Sequence, residues 1–557
     1  MAAADVPSSI RKKIKYGETT GTTWGLFSEY CHHSSIHGVK YLGEPKRSFL
    51  ERLFWISIFA FSIYGCLSLI GNTWNKWQEN PVIVSFNEKS TPVWQIPFPA
   101  VTICPELKFP QDKYNYSEVI LKIINRELQN ITEKENNYTD IMAHVCDYET
   151  VSEIFDMLRN DTNMFSDRDE FIDINTIVPI LEELIPYDDM PFEGCSFQAK
   201  TMKCKELFRK TITKEGICFK WNIEDGYDKN ADRNAYPKRS LGSGAKAGLF
   251  LWLFSNKIKC DKTCKGPILG FKMLLHAPDE IDDISSQYIQ VPLGQQILIS
   301  IKPKILHTLE RLRDYSPETR QCFFQDERYL RYFKYYNQKN CQLECLTNFT
   351  YSRCKCVRFD MPRNNDTPIC GLKNLKCYNE AEYHLLNEEF ERGSKKSKNI
   401  FNSFSSTCNC LPACTSIAYE TEINQAAYNV TTHYEPFISK FPQEFSDIYE
   451  MSRVFIYFKE PQFLTSKRSE LYGTTDFLAN CGGLLGLFMG VSLLSFGELI
   501  YFCTIRLAAN LKMRKKTNKN SVKEVRQALV SYSRQRPPIA SDYTLNGQIR
   551  NSVSLKT

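Results

Sequence analysis

Inside an apolar run, Phe477–Ile505, glycines recur every four residues at Gly482, Gly486 and Gly490. Ala479 and Gly483 extend this small-residue row. Ser492, Ser495 and Glu498 follow at steps of three, and Glu498 is the only charge in the run. A row of small residues lets helix backbones approach closely. A polar row ending in an intramembrane carboxylate marks an ion or proton path. Ser492 lies two residues after Gly490, about 200° around a straight helix. The two rows therefore share one axis only if the helix breaks at Gly490–Ser492. Carbonyls freed by such a break can replace an ion's hydration shell. Non-helical backbone at membrane depth is tolerated where it lines a cavity or is buried in protein. The alternative for the same residues is a helix-packing ridge, with Glu498 reaching the interface.

Other chemistries fit poorly. Gly490, Val491 and Ser492 do not start a nucleophile elbow, because Leu494 stands where the second glycine belongs. No H-E-x-x-H, P-loop or dinucleotide fingerprint occurs, so no catalytic residue is assigned and no enzyme is expected. Cys31, His32, His33 and His37 cluster near the amino terminus, but such closely spaced ligands on a polar tail are usually incidental, and no metal is assigned. Cys354-x-Cys356 and Cys408-x-Cys410-x3-Cys414 suggest zinc by spacing alone. Histidine is sparse there, and thiols outside the cell oxidise, so disulfides are the expectation.

These residues need elements to carry them. The run Phe477–Ile505 is twenty-nine residues long. It would reach about 43 Å as a helix, so it must tilt, protrude or break. A second run, Leu53–Ile70, has eighteen residues without a charge. It reaches about 27 Å, enough to cross the hydrocarbon core. Arg52 precedes it, and Trp74 and Trp77 follow as an interfacial belt would. Two buried core helices are the weaker alternative, because uncharged runs of this length are rare in soluble cores. The whole chain has 557 residues, 42% hydrophobic and 24% charged, a globular balance. Its mean hydropathy of -0.37 hides both runs within a long polar sequence. No apolar leader segment stands in the first thirty residues, so an internal segment is expected to direct secretion.

Charge orients the spans. Residues 1–52 carry net +3 and residues 506–557 net +10, which leaves −7 of the total +6 for residues 53–505. Basic tails belong in the cytoplasm. The run Lys512, Arg514, Lys515, Lys516, Lys519 is a topology signal or a contact for anionic lipid. The expected organisation is a cytoplasmic tail 1–52, a span 53–70, an extracellular domain 71–476, a span 477–505 and a basic cytoplasmic tail 506–557. Glycosylation sequons at Asn115, Asn130, Asn137, Asn160, Asn348, Asn365 and Asn429 all fall in the large loop, as do seventeen of the twenty-one cysteines. Pro368 weakens the sequon at Asn365.

The loop reads as mixed α and β. Pro81–Phe86, Phe98–Cys104, Gly248–Phe254 and Gln295–Pro303 are strand-like in composition. Val151–Leu158, Ile177–Leu184 and Arg320–Tyr336 have helical spacing. Arg392–Lys398 is a basic stretch expected to be an exposed loop, and the last forty residues are polar enough to be disordered.

At the level of motifs the chain resembles the degenerin and epithelial sodium channels, with the arthropod pickpocket subunits as the nearest subgroup. Gly486–Leu499 resembles the signature around the second-span break, and His37-Gly38 resembles the amino-terminal gating motif. Pro97–Cys104, Thr213–Asn222, Gly270–Glu280 and Cys410–Glu420 resemble four ectodomain signatures. The resemblance covers about residues 25–508. It implies an α+β membrane protein whose two transmembrane helices flank a large, disulfide-rich extracellular domain built around a β-sheet. It implies homo- or heterotrimers of related subunits in the plasma membrane, blocked by amiloride-like drugs. Na⁺ would be the permeant ion, with no cofactor and no nucleic-acid partner. Gly490, Val491 and Ser492 then correspond to the selectivity filter, and Ala479 to the position where bulky side chains hold the pore open. Gly482, Gly483, Gly486, Ser495 and Glu498 become pore-associated.

The family's disulfide pattern suggests Cys104–Cys218, Cys195–Cys204, Cys322–Cys414, Cys341–Cys410, Cys345–Cys408, Cys354–Cys377 and Cys356–Cys370. It leaves Cys146, Cys260 and Cys264 unassigned. The carboxyl tail lacks a PPxY motif, since Pro537 and Pro538 are followed by Ile539 and Ala540. No acid-sensing pocket can be mapped onto the sequence. The alternatives are a non-conducting auxiliary subunit and a two-pass surface receptor.

Overall fold

A computed structural model describes residues 23–44, 47–79, 81–125, 127–146, 170–185, 191–223, 237–256, 261–285, 287–396, 408–429 and 449–513, with a few helical positions beyond Met513. The expected helix Val151–Leu158, the sequon Asn160, Cys260, Arg514 and most of the last forty residues lie outside the described residues. The chain forms two compact units, one from residues 1–80 with 472–557 and one from residues 81–471.

The second unit is built on two sheets. The larger has eight strands, with Gln295–Thr308 near its centre. That strand runs parallel to Tyr449–Phe458 and Ser466–Glu470 and antiparallel to Thr415–Ala427. The smaller sheet has five strands, ordered Ile289–Pro292, Gly270–His276, Ala100–Pro105, Gly216–Trp221 and Arg209–Thr213. Alternation decides which side chains meet. Along Leu249–Asn256, Leu249, Leu251 and Leu253 are fully buried while their neighbours are partly exposed, the period of two that a half-buried strand requires. They share one core with Ile297, Ile299 and Ile301, and with Phe219, Trp221 and Phe271 of the smaller sheet. At about 1.5–3 kcal/mol for each fully buried large apolar side chain, this core is the main stabiliser of the unit.

A second core is largely helical. Asn115 caps the helix Tyr116–Ile124 by accepting from the Glu118 amide, and Thr132 and Glu135 cap Glu133–Met142 reciprocally. These helices pack with Ile174–Leu184 and with the start of the helix Leu375–Lys396. Five disulfides tie the helix Gln338–Cys354 and its surroundings: Cys322–Cys414, Cys341–Cys410, Cys345–Cys408, Cys354–Cys377 and Cys356–Cys370. Cys104–Cys218 and Cys195–Cys204 lie in the sheet region, and Cys146 bonds Cys264.

Two expectations are corrected. Arg320–Tyr336 is not a helix. A short helix, Pro317–Arg320, ends at Gln321 with φ of 60°, and irregular chain continues until Asn337 caps the next helix. The buried Arg320 guanidinium donates to the carbonyls of Cys322 and Tyr315 and pairs with Glu327, so a side chain takes the Cys322 carbonyl that a helix through this stretch would have used. Phe323 bridges Ala413, and Phe323, Leu330 and Tyr336 form their own cluster. The helix-like aromatic spacing therefore reports a folded loop core. The second correction concerns the basic stretch from Arg392. Its first five residues continue the helix Leu375–Lys396 instead of forming a loop, and Ser397 and Lys398 lie outside the described residues.

The chain enters and leaves this unit through one ladder. Val82–Phe86 pairs antiparallel with Ser466–Glu470, with Val82 opposite Glu470, and the Leu471 amide donates to the Pro81 carbonyl at 2.7 Å.

Two buried histidines make stability depend on pH. Burial pushes both His144 and His276 down to about 4, and Arg358 adds to the effect at His144. The unfolded imidazole, near 6.5, binds protons that the folded one refuses. Each histidine's contribution is therefore complete above pH 6.5 and is lost as the pH falls toward 4, by about 3 kcal/mol per residue. The unfolding midpoint of the detergent-solubilised chain should fall steadily between pH 6.5 and 4.5, with a shallower slope in His144→Gln. A midpoint independent of pH over that window would contradict this.

Candidate functional site

The site is built in the first unit. The helix Phe49–Glu79 has thirty-one residues and is apolar enough to cross a membrane. The helix Thr474–Met489 and the segment Leu493–Met513 meet that test together, bent by 69° at a short break. Asp476 caps the first of these by accepting from the Gly473 amide. Phe477 stacks on Trp77 at 4.9 Å and meets Trp74 edge-on, so an aromatic cluster joins the ends of the two long helices.

The break falls at Gly490–Ser492. Gly490 adopts φ of 66°, the left-handed conformation that suits glycine, and its amide donates to the Gly486 carbonyl at 2.8 Å. Ser492 is extended and caps the next helix, Leu493–Tyr501. Its hydroxyl accepts from the Ser495 amide, and the Ser495 hydroxyl accepts from the Ser492 amide at 3.0 Å. This reciprocal cap satisfies amides that a helix start leaves open. Two of the three polar residues in the row thus hold the break in shape, and Val491 lies between the two helix ends.

The amino-terminal segment lies against the break. The His37 amide donates to the Met489 carbonyl at 2.9 Å, one of the groups that the helix end leaves without an internal partner. A Cβ built on Gly490 would overlap the His37 imidazole. Ser35 donates to Glu498 from both its amide and its hydroxyl, each at 3.1 Å, and its hydroxyl is 2.6 Å from that of Ser495. Gly38 turns the chain with φ of 86°, after which Tyr41 stacks on Trp55 at 4.2 Å. Farther along, Arg506 pairs with Glu29 and Phe502 packs edge-on against Tyr30. Ser35 therefore joins Ser495 and Glu498, and His37, two residues on, meets Gly490. Nothing in the sequence marked Ser35, which is one polar residue in a polar tail.

The glycine row before Gly490 makes no close contact within the described part of this chain. Among the described residues, a Cβ at Gly482, Gly483 or Gly486 would meet nothing within 4 Å, and Ala479 is exposed. The close approach of the two long helices uses Gly65 instead, where a Cβ would stand 3.0 Å from the Phe488 ring. Pairing within one chain thus leaves the row open. Cys31 is buried against Gly43, while His37 faces Gly490, so these two candidate metal ligands have different neighbours. Of the sequons, Asn130, Asn137, Asn348, Asn365 and Asn429 are exposed, and Asn115 is half-buried at its helix cap.

The family model described as amiloride-sensitive sodium channel matches residues 30–502. The chain belongs to this family. Its members, the degenerin and epithelial sodium channels, are ion channels of membranes and not enzymes. Pickpocket protein 28 of Drosophila melanogaster is 27% identical over 525 residues, covering 86% of this chain and 78% of that protein. Sodium channel protein Nach of the same organism is 24% identical, covering 89% of each. Acid-sensing ion channel 1A of Danio rerio is 22% identical, covering 84% of this chain and 86% of that channel. The fold agrees with membership in a disulfide-rich, sheet-containing channel family with at least one apolar helix.

Proposed function

We propose that this chain is one subunit of a trimeric, amiloride-blocked, sodium-selective channel of the plasma membrane, gated by a sensory stimulus. Two spans cross the bilayer, residues 71–476 face outward and both tails are cytoplasmic. Gly490, Val491 and Ser492 form the filter, Ala479 the gate position, and His37 and Gly38 the cytoplasmic gating motif. One observation carries this: the apolar segment breaks at Gly490–Ser492, and the chain's own Ser35–His37 fills the break. Unpaired backbone in hydrocarbon costs several kcal/mol per group, so a break persists only where protein or a water-filled path receives it. The open glycine row supports the trimer, since it is a surface on which neighbouring helices can approach.

Expression of the chain alone in oocytes should give an inward Na⁺ current that amiloride blocks. Current that appears only on co-expression with a related subunit would mark an auxiliary subunit. No current in either case would leave the two-pass receptor. Separately, glycosidase should increase the gel mobility of surface-labelled protein by several glycans. Surface protein without glycans would refute the outward placement of residues 71–476.

A further inference from the structure

A cavity of about 240 Å³ opens within the second unit, far above the ~10–15 Å³ that one water needs. Its walls come from the turn Ala143–Cys146, from Lys214 and Glu215, from Lys265 and Lys272, and from Arg358 with Tyr378. Four of the charged side chains lining it are cationic and one is a carboxylate.

That carboxylate is already committed. Glu215 accepts from Lys272 at 3.0 Å and lies 3.0 Å from Lys108 and 3.2 Å from Lys265. Burial alone would raise its pKa, but these three ammoniums hold it well below the usual carboxylate range. Around the wall, Glu106 is 4.0 Å from Lys272, Asp360 holds Arg358, and Glu382 lies 3.6 Å from Lys214 and 3.9 Å from Arg358 Nη1. Counting these groups too, five cations face four carboxylates.

Two residues that line the cavity each bury a nitrogen that has no hydrogen-bond partner among the described residues, Arg358 Nη1 and His144 Nε2. Both residues are more than nine-tenths buried. Buried polar groups of this kind call for a partner. His144 Nδ1 shares a hydrogen bond with the Tyr378 hydroxyl at 2.8 Å. When Nδ1 accepts that bond, Nε2 carries the hydrogen and becomes a donor. The bond Cys146–Cys264 lies outside the disulfide pattern that the family resemblance implies. It staples one wall of the cavity to the residue that precedes Lys265, so the donors are held in place before anything binds.

We propose that this cavity binds a small oxyanion, with Arg358 Nη1, His144 Nε2 and the ammoniums of Lys214, Lys265 and Lys272 as its donors. Charge-assisted hydrogen bonds from guanidinium and ammonium are the strong kind, and they are stronger in a buried site. Phosphate and a small organic carboxylate share this chemistry. The apolar lining from Val145 and Leu375 and the Tyr288 ring favour the carboxylate.

The test uses the full chain in detergent. Sodium phosphate and sodium benzoate are each titrated at fixed pH, with sodium chloride holding the ionic strength constant, and the unfolding midpoint is read. A saturable rise with either anion supports the site, and the larger rise identifies the class. Lys214→Gln, at a partly exposed position, should weaken half-saturation about fivefold, and Arg358→Gln by tenfold or more. If Arg358→Gln fails to fold, Lys214→Gln carries the test alone. No rise beyond chloride, or a rise unchanged in Lys214→Gln, would overturn the proposal. The readout is binding, so a silent channel leaves the result interpretable.

Discussion

Ala479→Phe is expected to produce a standing inward current at least tenfold above that of the unmodified channel. Ala479 lies eleven residues before Gly490, about 16 Å along the helix Thr474–Met489. It shares a face with Gly483 and Gly486, the row left open within one chain. In the proposed trimer, three copies meet where only small side chains allow the helices to close. Overpacking typically costs about 1–3 kcal/mol per site. Summed over three copies, that approaches the ~5.5 kcal/mol needed to turn a closed population into an open one. Ala479→Ser adds little volume and should leave the resting current near its original level. Normal resting current in Ala479→Phe, at normal surface density, would remove Ala479 from the gate.

Gly490→Ala should abolish more than nine-tenths of the current without reducing surface protein. Two separate effects act there. The left-handed backbone at φ of 66° costs an alanine about 1–2 kcal/mol. The added Cβ also overlaps the His37 imidazole. To escape the overlap, the amino-terminal segment must move, and it then loses the bonds from His37 to Met489 and from Ser35 to Glu498. The two effects can be separated by a cycle. If the overlap dominates, His37→Ala in the Gly490→Ala background restores part of the current, because the methyl group then has space. A double variant as silent as Gly490→Ala would show that backbone strain or the filter itself decides.

The break at Gly490–Ser492 was legible in the sequence because two physical constraints met there. The apolar run is too long for one straight span, and its small and polar rows are out of phase. The strands were legible by composition, since Leu249–Asn256 falls on the strand-like run Gly248–Phe254, whereas its alternation is one of burial and belongs to the fold. What fills the break was not legible. Ser35 reaches Glu498 across 463 positions, and a serine in a polar tail has no periodicity to betray it. The glycine row was visible, but not that the close approach within the chain belongs to Gly65. Arg320–Tyr336 misled because aromatic spacing suits a helix equally well as a loop with its own small core, and the Arg320 hydrogen bonds chose the loop. The pairing of Cys146 with Cys264 was not legible, since cysteine spacing does not determine connectivity.

The ladder between Val82–Phe86 and Ser466–Glu470 has a mechanical consequence. The strands through which the chain enters and leaves the second unit are cross-linked along five residue pairs, and Leu471 is tied to Pro81 one step beyond. Tension on either chain end is therefore shared by a common rung set before it reaches the rest of the sheet. Displacement at one exit is transmitted to the other as a single stroke. Ser466–Glu470 also runs parallel to Gln295–Thr308, so a pull along it loads those hydrogen bonds in shear and does not peel them one at a time. The unit thus presents one stiff coupling to both of its outgoing chain ends.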